Sequence, residues 1–247
     1  MRRFVPLAAV GLLVASGCLS GSYDADFRSS LERYRQDGEF QRLHREPKAL
    51  AGNRMLLRVP KLFTDEDATG DKERSKPPFL QDFPGFCVAY QALLDADGAK
   101  SPAVLSVGAL ADKESGLDEL KKRILNQVQK EQAFAKAAWA ALDGQPAAGG
   151  KATWSVLKLA GQQPFDRVNN GVTEPKNADG ETQVWVASDP DTKVAAVLVW
   201  RVPQELAETV PLDELAGLVA RTVEFKAPAE PAPVAAAPDV AAPAPAQ

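Results

Sequence analysis

Two apolar runs separated by four residues restrict this chain more than any other feature. ETQVWVAS (181–188) and KVAAVLVWRV (193–202) flank Asp189-Pro190-Asp191-Thr192. Both are rich in Val, Ala and Trp, and so short a polar connection between them predicts a β-hairpin. Trp185 and Trp200 fall inside it, and the register decides whether they share a face.

The surrounding chain adds strands and helices to this hairpin. RMLLRV (54–59), FCVAYQALL (86–94), AVLSVGALA (103–111) and KATWSVLKL (151–159) each read as a strand. The clearest helical pattern runs from Leu117 to Leu142. Leu117, Leu120, Ile124, Val128, Ala135, Trp139 and Leu142 make an apolar face, and Gly144 and Pro146 stop it. A second helix is predicted over 211–223, with Pro211 in its first turn and Asp213 and Glu214 opposing its dipole. Nearer the start, Phe27, Leu31 and Tyr34 share a helical stripe that ends at Gly38. Asn170-Gly171 and Asp179-Gly180 both read as turns. TDEDATGDKERSKPP (64–78) reads as a charged surface loop. The resulting expectation is an α+β fold. An antiparallel or mixed sheet would be covered by the long helix and the C-terminal helix.

The 247 residues carry a formal charge of −4, so nucleic acid is not an expected partner. Catalytic and metal-binding signatures are missing. There is no Gly-x-Ser-x-Gly, one histidine (His44) and two cysteines, Cys18 and Cys87. That is poor material for a nucleophilic relay or a zinc site. Asp95 and Asp97 open like a calcium loop, but the later oxygen ligands are lacking. Gly149-Gly150-Lys151 is followed by Ala152, where a phosphate loop needs Ser or Thr. No enzyme activity, cofactor or metal is therefore expected. The aromatic residues best suited to stack on a ligand are Trp154, Trp185 and Trp200, with core packing as the alternative role.

The N-terminus supplies a location. Arg2 and Arg3 precede the apolar run Phe4–Ala15, which is short of the roughly 20 residues a membrane-spanning helix needs. With the small residues Ala15-Ser16-Gly17, residues 1–17 read as a secretory signal. The segment LVASGC (13–18) also resembles the bacterial lipobox, with Ala15 where that family prefers Leu. The resemblance implies cleavage before Cys18, diacylglycerol on its sulfur and a fatty acyl chain such as palmitate on its amine. Leu19, in place of Asp, then implies the outer membrane, facing the periplasm. Ordinary signal cleavage at the same bond would give a secreted protein instead. Loss of Arg2 and Arg3 takes the formal charge from −4 to about −6. Attachment would then rest on lipid, not on charge. A lipidated Cys18 also leaves Cys87 without a disulfide partner.

These features divide the chain into a signal (1–17), a lipidated cysteine and tether (18–26) and a single α+β domain (27–226). A Pro/Ala-rich tail (227–247) follows, with six prolines and ten alanines, read as disordered. From RMLLRVPKLF through the long helix to the Trp-bearing hairpin and last helix, residues 54–225 resemble the Mog1/PsbP-like group of α/β sandwiches. That resemblance implies an adaptor role. The expected function is a membrane-anchored, non-catalytic envelope lipoprotein, held in membrane lipid through Cys18 and binding an envelope protein or serving assembly. The alternative is a small-ligand or carbohydrate-binding module built on the tryptophans.

Overall fold

The structure, a computed structural model, describes residues 38–68, 76–96, 98–111, 116–146 and 153–227. The signal, Cys18, the tether, the 27–34 stripe, Asp97, residues 149–152 and the tail from 228 onward lie outside the described residues. The chain divides into two compact units, Met1–Gln41 and Arg42–Gln247. Residues 38–41 are the described part of the first, a helical turn.

The second unit runs β1 (Lys48–Leu50), β2 (Met55–Leu57), β3 (Asp65–Asp67), β4 (Phe86–Ala96), β5 (Ala99–Ala111) and α1 (Leu117–Val128). It continues with β6 (Ala140–Pro146), β7 (Thr153–Asn169), β8 (Val172–Asp189), β9 (Val194–Pro203), α2 (Leu212–Arg221) and β10 (Glu224–Phe225). Seven strands form one sheet in the order β3-β4-β5-β9-β8-β7-β6, and β1-β2-β10 form a second. Every ladder is antiparallel.

These proportions correct the α+β expectation. Strand makes up 50% of the described residues and helix 20%, and there are two sheets. The sheet is not roofed by a long helix. The predicted 117–142 helix stops at Val128, because its stripe carries Glu131 and Gln132 where the next apolar turn is needed. The chain then doubles back. Gln129 Nε2 donates to Ala137 O at 2.9 Å, and Trp139 Nε1 donates to the Lys121 carbonyl at 3.2 Å. Trp139 therefore packs beside α1 instead of extending it, and by Ala140 the chain is strand.

Strand periodicity gives the large sheet two different faces. On one, Leu157, Leu159, Val184, Val186, Val197 and Val199 pack against Leu120, Ile124 and Val128 of α1, with Phe79, Phe83 and Phe134 filling between them. On the other, one row crosses six strands in register: Glu66, Tyr90, Leu105, Trp200, Gln183 and Lys158. Its cover is α2 together with the small sheet. Arg58 N donates to Thr222 Oγ1 at 3.0 Å, tying β2 to the end of α2, and Phe63 meets Trp200 edge-on at 5.8 Å.

The β8–β9 hairpin forms where its sequence places it. Asp189 organises its turn by accepting from Asp191 N and Thr192 Oγ1, both at 3.0 Å. The β7–β8 hairpin is longer than its sequence suggests. Asn170-Gly171 is its two-residue tip, with both φ angles positive (50° and 81°), as such a turn requires. Asp179-Gly180 is not a turn but lies inside β8. A Cβ on Gly180 would lie 2.4 Å from the Phe165 ring, so glycine stands there to admit that ring. Beyond Pro203, where β9 ends against Gly180, the hairpin continues as an arm. It returns to the sheet at the single pair Lys100↔Val168.

Candidate functional site

The register places Trp185 and Trp200 on the same face of the large sheet, because Gln183 lies opposite Trp200 and two residues from Trp185. Trp154 joins them, its ring 6.1 Å from that of Trp185 at 64°. Their relative exposures are 0% for Trp154, 3% for Trp185 and 0% for Trp200. No indole face is open to a ligand in this conformation, and the three rings fill the core. A carbohydrate platform needs the opposite arrangement.

Trp185 nevertheless leads to a polar site. Its Nε1 donates to Gln183 Oε1 at 2.8 Å. An indole nitrogen can only donate, so it fixes which end of the Gln183 amide faces it. The amide nitrogen is left to point the other way. It donates to Glu181 Oε1 at 2.7 Å and to Asp213 Oδ1 at 2.6 Å. Gln183 is fully buried, and its polar atoms are satisfied. One core tryptophan thus orients two carboxylates, one on β8 and one in the first turn of α2.

These carboxylates stand on the rim of a cleft of about 330 Å³. Its floor is apolar, from the buried Val202, Val210 and Leu212, with Ala207 exposed at its edge; Glu214 joins Glu181 and Asp213 on the rim. Lys158 Nζ meets Asp213 at 2.6 Å, and Arg42 meets Glu214 at 2.9 Å. The hydrogen bond from Lys158 holds the Asp213 carboxyl below its ordinary pKa. Partial burial opposes it, and the Gln183 hydrogen bond and the Lys158 charge assist it. Asp213 is therefore ionised at neutral pH and carries no proton to donate. It offers this rim a negative charge and hydrogen-bond acceptors.

A second cavity, of about 420 Å³, lies at the end of the arm between Gly98, Arg167, Asn169, Glu174 and Lys176. None of these residues is buried, so it lacks an apolar floor. Elsewhere, Cys87 is half-buried, and burial pushes its thiol pKa up against hydrogen bonding with the backbone of Ala109 and Ala51. It is thus a protonated thiol and a poor nucleophile. His44 is exposed. Among the described residues, no group of three or more His, Cys, Asp or Glu is placed to hold a metal ion, and no helix is long and apolar enough to cross a membrane.

Glu181 and Gln183 are not among the residues singled out by sequence, and Asp213 is named there only as a first-turn charge of the last helix, not as a site residue. The signal was present in Glu181-x-Gln183-x-Trp185, whose period of two places all three on one strand face. The contribution of Asp213 depends on how α2 docks and has no local signature.

No family model matches the chain, and no curated protein matches it. Solved structures do. It is similar to cyanobacterial PsbP (CyanoP) from Synechocystis sp. PCC 6803, with 13% identity over 73% of this chain and 92% of that one, at a TM-score of 0.39. It is similar to the Ran-binding protein Mog1p of Saccharomyces cerevisiae, with 15% identity over 74% and 96%, at 0.39. A Mog1 variant gives 14% identity over the same shares, at 0.40. PsbP and Mog1 are the two names in the resemblance drawn from the sequence, met here at TM-scores of 0.39 to 0.40.

Proposed function

We propose that this chain is a membrane-anchored, non-catalytic lipoprotein of the cell envelope that binds another protein through its folded domain. The observation that carries the anchor is Ala15-Ser16-Gly17-Cys18, a small-residue exit from an apolar leader that ends on cysteine. Acylated on sulfur and amine, Cys18 would hold the domain stably, since a single chain gives marginal binding and additional chains secure it. Leu19 favours the outer membrane, with the domain facing the periplasm. The cleft supports binding over catalysis. Its floor is apolar, its rim carboxylates are oriented by a buried amide, and Asp213 is held ionised.

The test is cell fractionation with and without globomycin, which blocks lipoprotein signal cleavage. The wild type should partition with the membrane and accumulate as precursor under the drug. Cys18→Ala should lose membrane attachment. Drug-insensitive processing to a soluble protein would refute the anchor and leave the secreted alternative.

A further inference from the structure

We infer that the cleft beneath Glu181 receives an arginine side chain from a partner polypeptide, flanked there by an apolar residue. The inference rests on the protein-binding reading above and gives its partner a chemistry. The charges around the cleft select it. Asp213 is met by Lys158 and Glu214 by Arg42. Among the described residues, Glu181 is met only by the neutral amide of Gln183, on Oε1. The rim therefore presents one carboxylate whose charge is uncompensated, and its second oxygen is directed by a group that cannot move. Gln183 is fully buried and held by Trp185.

Below that carboxylate the floor is apolar, and Val202, Val210 and Leu212 are themselves buried. A long cationic side chain matches both parts. Its methylene stem covers apolar surface while its head reaches the charge. Arginine fits better than lysine, because its planar fork can engage a fixed carboxylate through two hydrogen bonds and is more weakly hydrated. At about 330 Å³ the cleft is small for a ligand pocket, sized for one long side chain and part of a neighbour. A bare cation would leave the floor wet, and an apolar residue alone would leave Glu181 unanswered.

The experiment uses the ¹⁵N-labelled full-length protein as the cell makes it, titrated with Ac-Val-Arg-Val-NH2 and followed by amide chemical shifts. The control is the same peptide with citrulline, which keeps the shape and removes the charge. The arginine peptide should shift the amides of Glu181, Val202, Ala207, Val210 and Leu212. The citrulline peptide should bind about tenfold more weakly, as expected for a charged hydrogen bond lost at a partly desolvated site. Glu181→Gln keeps an acceptor for Gln183 and should weaken the arginine peptide by a similar factor. Equal binding of the two peptides, shifts confined to another surface, or no shifts at the cleft would overturn the inference. Should the peptides fail while Cys18 is acylated and the protein fractionates with membrane, this occupant falls and the anchored-binder reading stands. An unacylated Cys18 removes the anchor whichever peptide binds.

Discussion

The two faces of the large sheet are built from the same strands and differ in what they bury. Toward α1, an aliphatic and aromatic cluster closes around Ile124, and the buried amide on that face, Gln163, lies at its margin and accepts from Thr182 Oγ1 at 2.7 Å. Toward α2, the row that crosses the sheet interposes Gln183 and Lys158 beside Trp200, and Tyr90 and Glu66 at its other end. A dry layer can be filled with any well-fitting apolar residue. A buried amide is tolerated only when its partners are in place. The second face therefore specifies particular neighbours, and the cleft lies where that specification reaches solvent.

The largest expected effect is on the dry face. Ile124→Ala should destabilise the protein by about 3 kcal/mol, read as a lower urea midpoint, because the residue is fully buried among atoms that cannot collapse completely. Gln183→Leu should cost about 2 kcal/mol by the same measurement. It leaves the Trp185 Nε1 without an acceptor and removes the donor to Glu181 and Asp213. A cost well under 1 kcal/mol there would make the two faces equivalent and break the comparison.

A double-mutant cycle sharpens it. Trp185→Phe combined with Gln183→Leu should show a coupling of about 1 kcal/mol, because the first change removes the donor that the second leaves stranded. Additive losses would mean that Trp185 acts only by packing.

The smallest effect concerns pH. The folded-state pKa of Asp213 lies below its unfolded value, so its contribution is complete above about pH 4. It is lost as the pH falls through the folded value. Asp213→Asn should flatten the acid limb of the stability profile by less than about 0.5 kcal/mol, since the carboxyl is largely exposed and solvent screens the Lys158 pair. An unchanged acid limb would show that Lys158 and Gln183 do not hold this carboxyl ionised.

The sequence displays some of this architecture and hides the rest for physical reasons. The β8–β9 hairpin is legible because continuous apolar runs and a short polar turn are local features. The end of α1 is not, because after the polar interruption Gln129–Gln132 the apolar spacing resumes at Ala135 and Trp139, which suits a folded-back cover as well as a continued helix. Gly180 misleads in the same way. Its lack of a side chain answers Phe165, fifteen residues away in sequence, and no local turn. The small sheet joins β2 to β10 across most of the chain through two registered pairs, too few to leave a periodic trace. The site was half visible. Trp185 stood out as a possible stacking surface, while the structure makes it the buried support for Gln183 and, through it, for Glu181 and Asp213.

The proposed anchor at Cys18 would give the cleft a place to work, and one mass spectrum addresses it directly. The N-terminal peptide of the mature protein should begin at Cys18 and carry diacylglycerol on sulfur, with a fatty acyl chain on its amine. A mature protein whose Cys18 is free, or whose N-terminus lies elsewhere, would contradict the account.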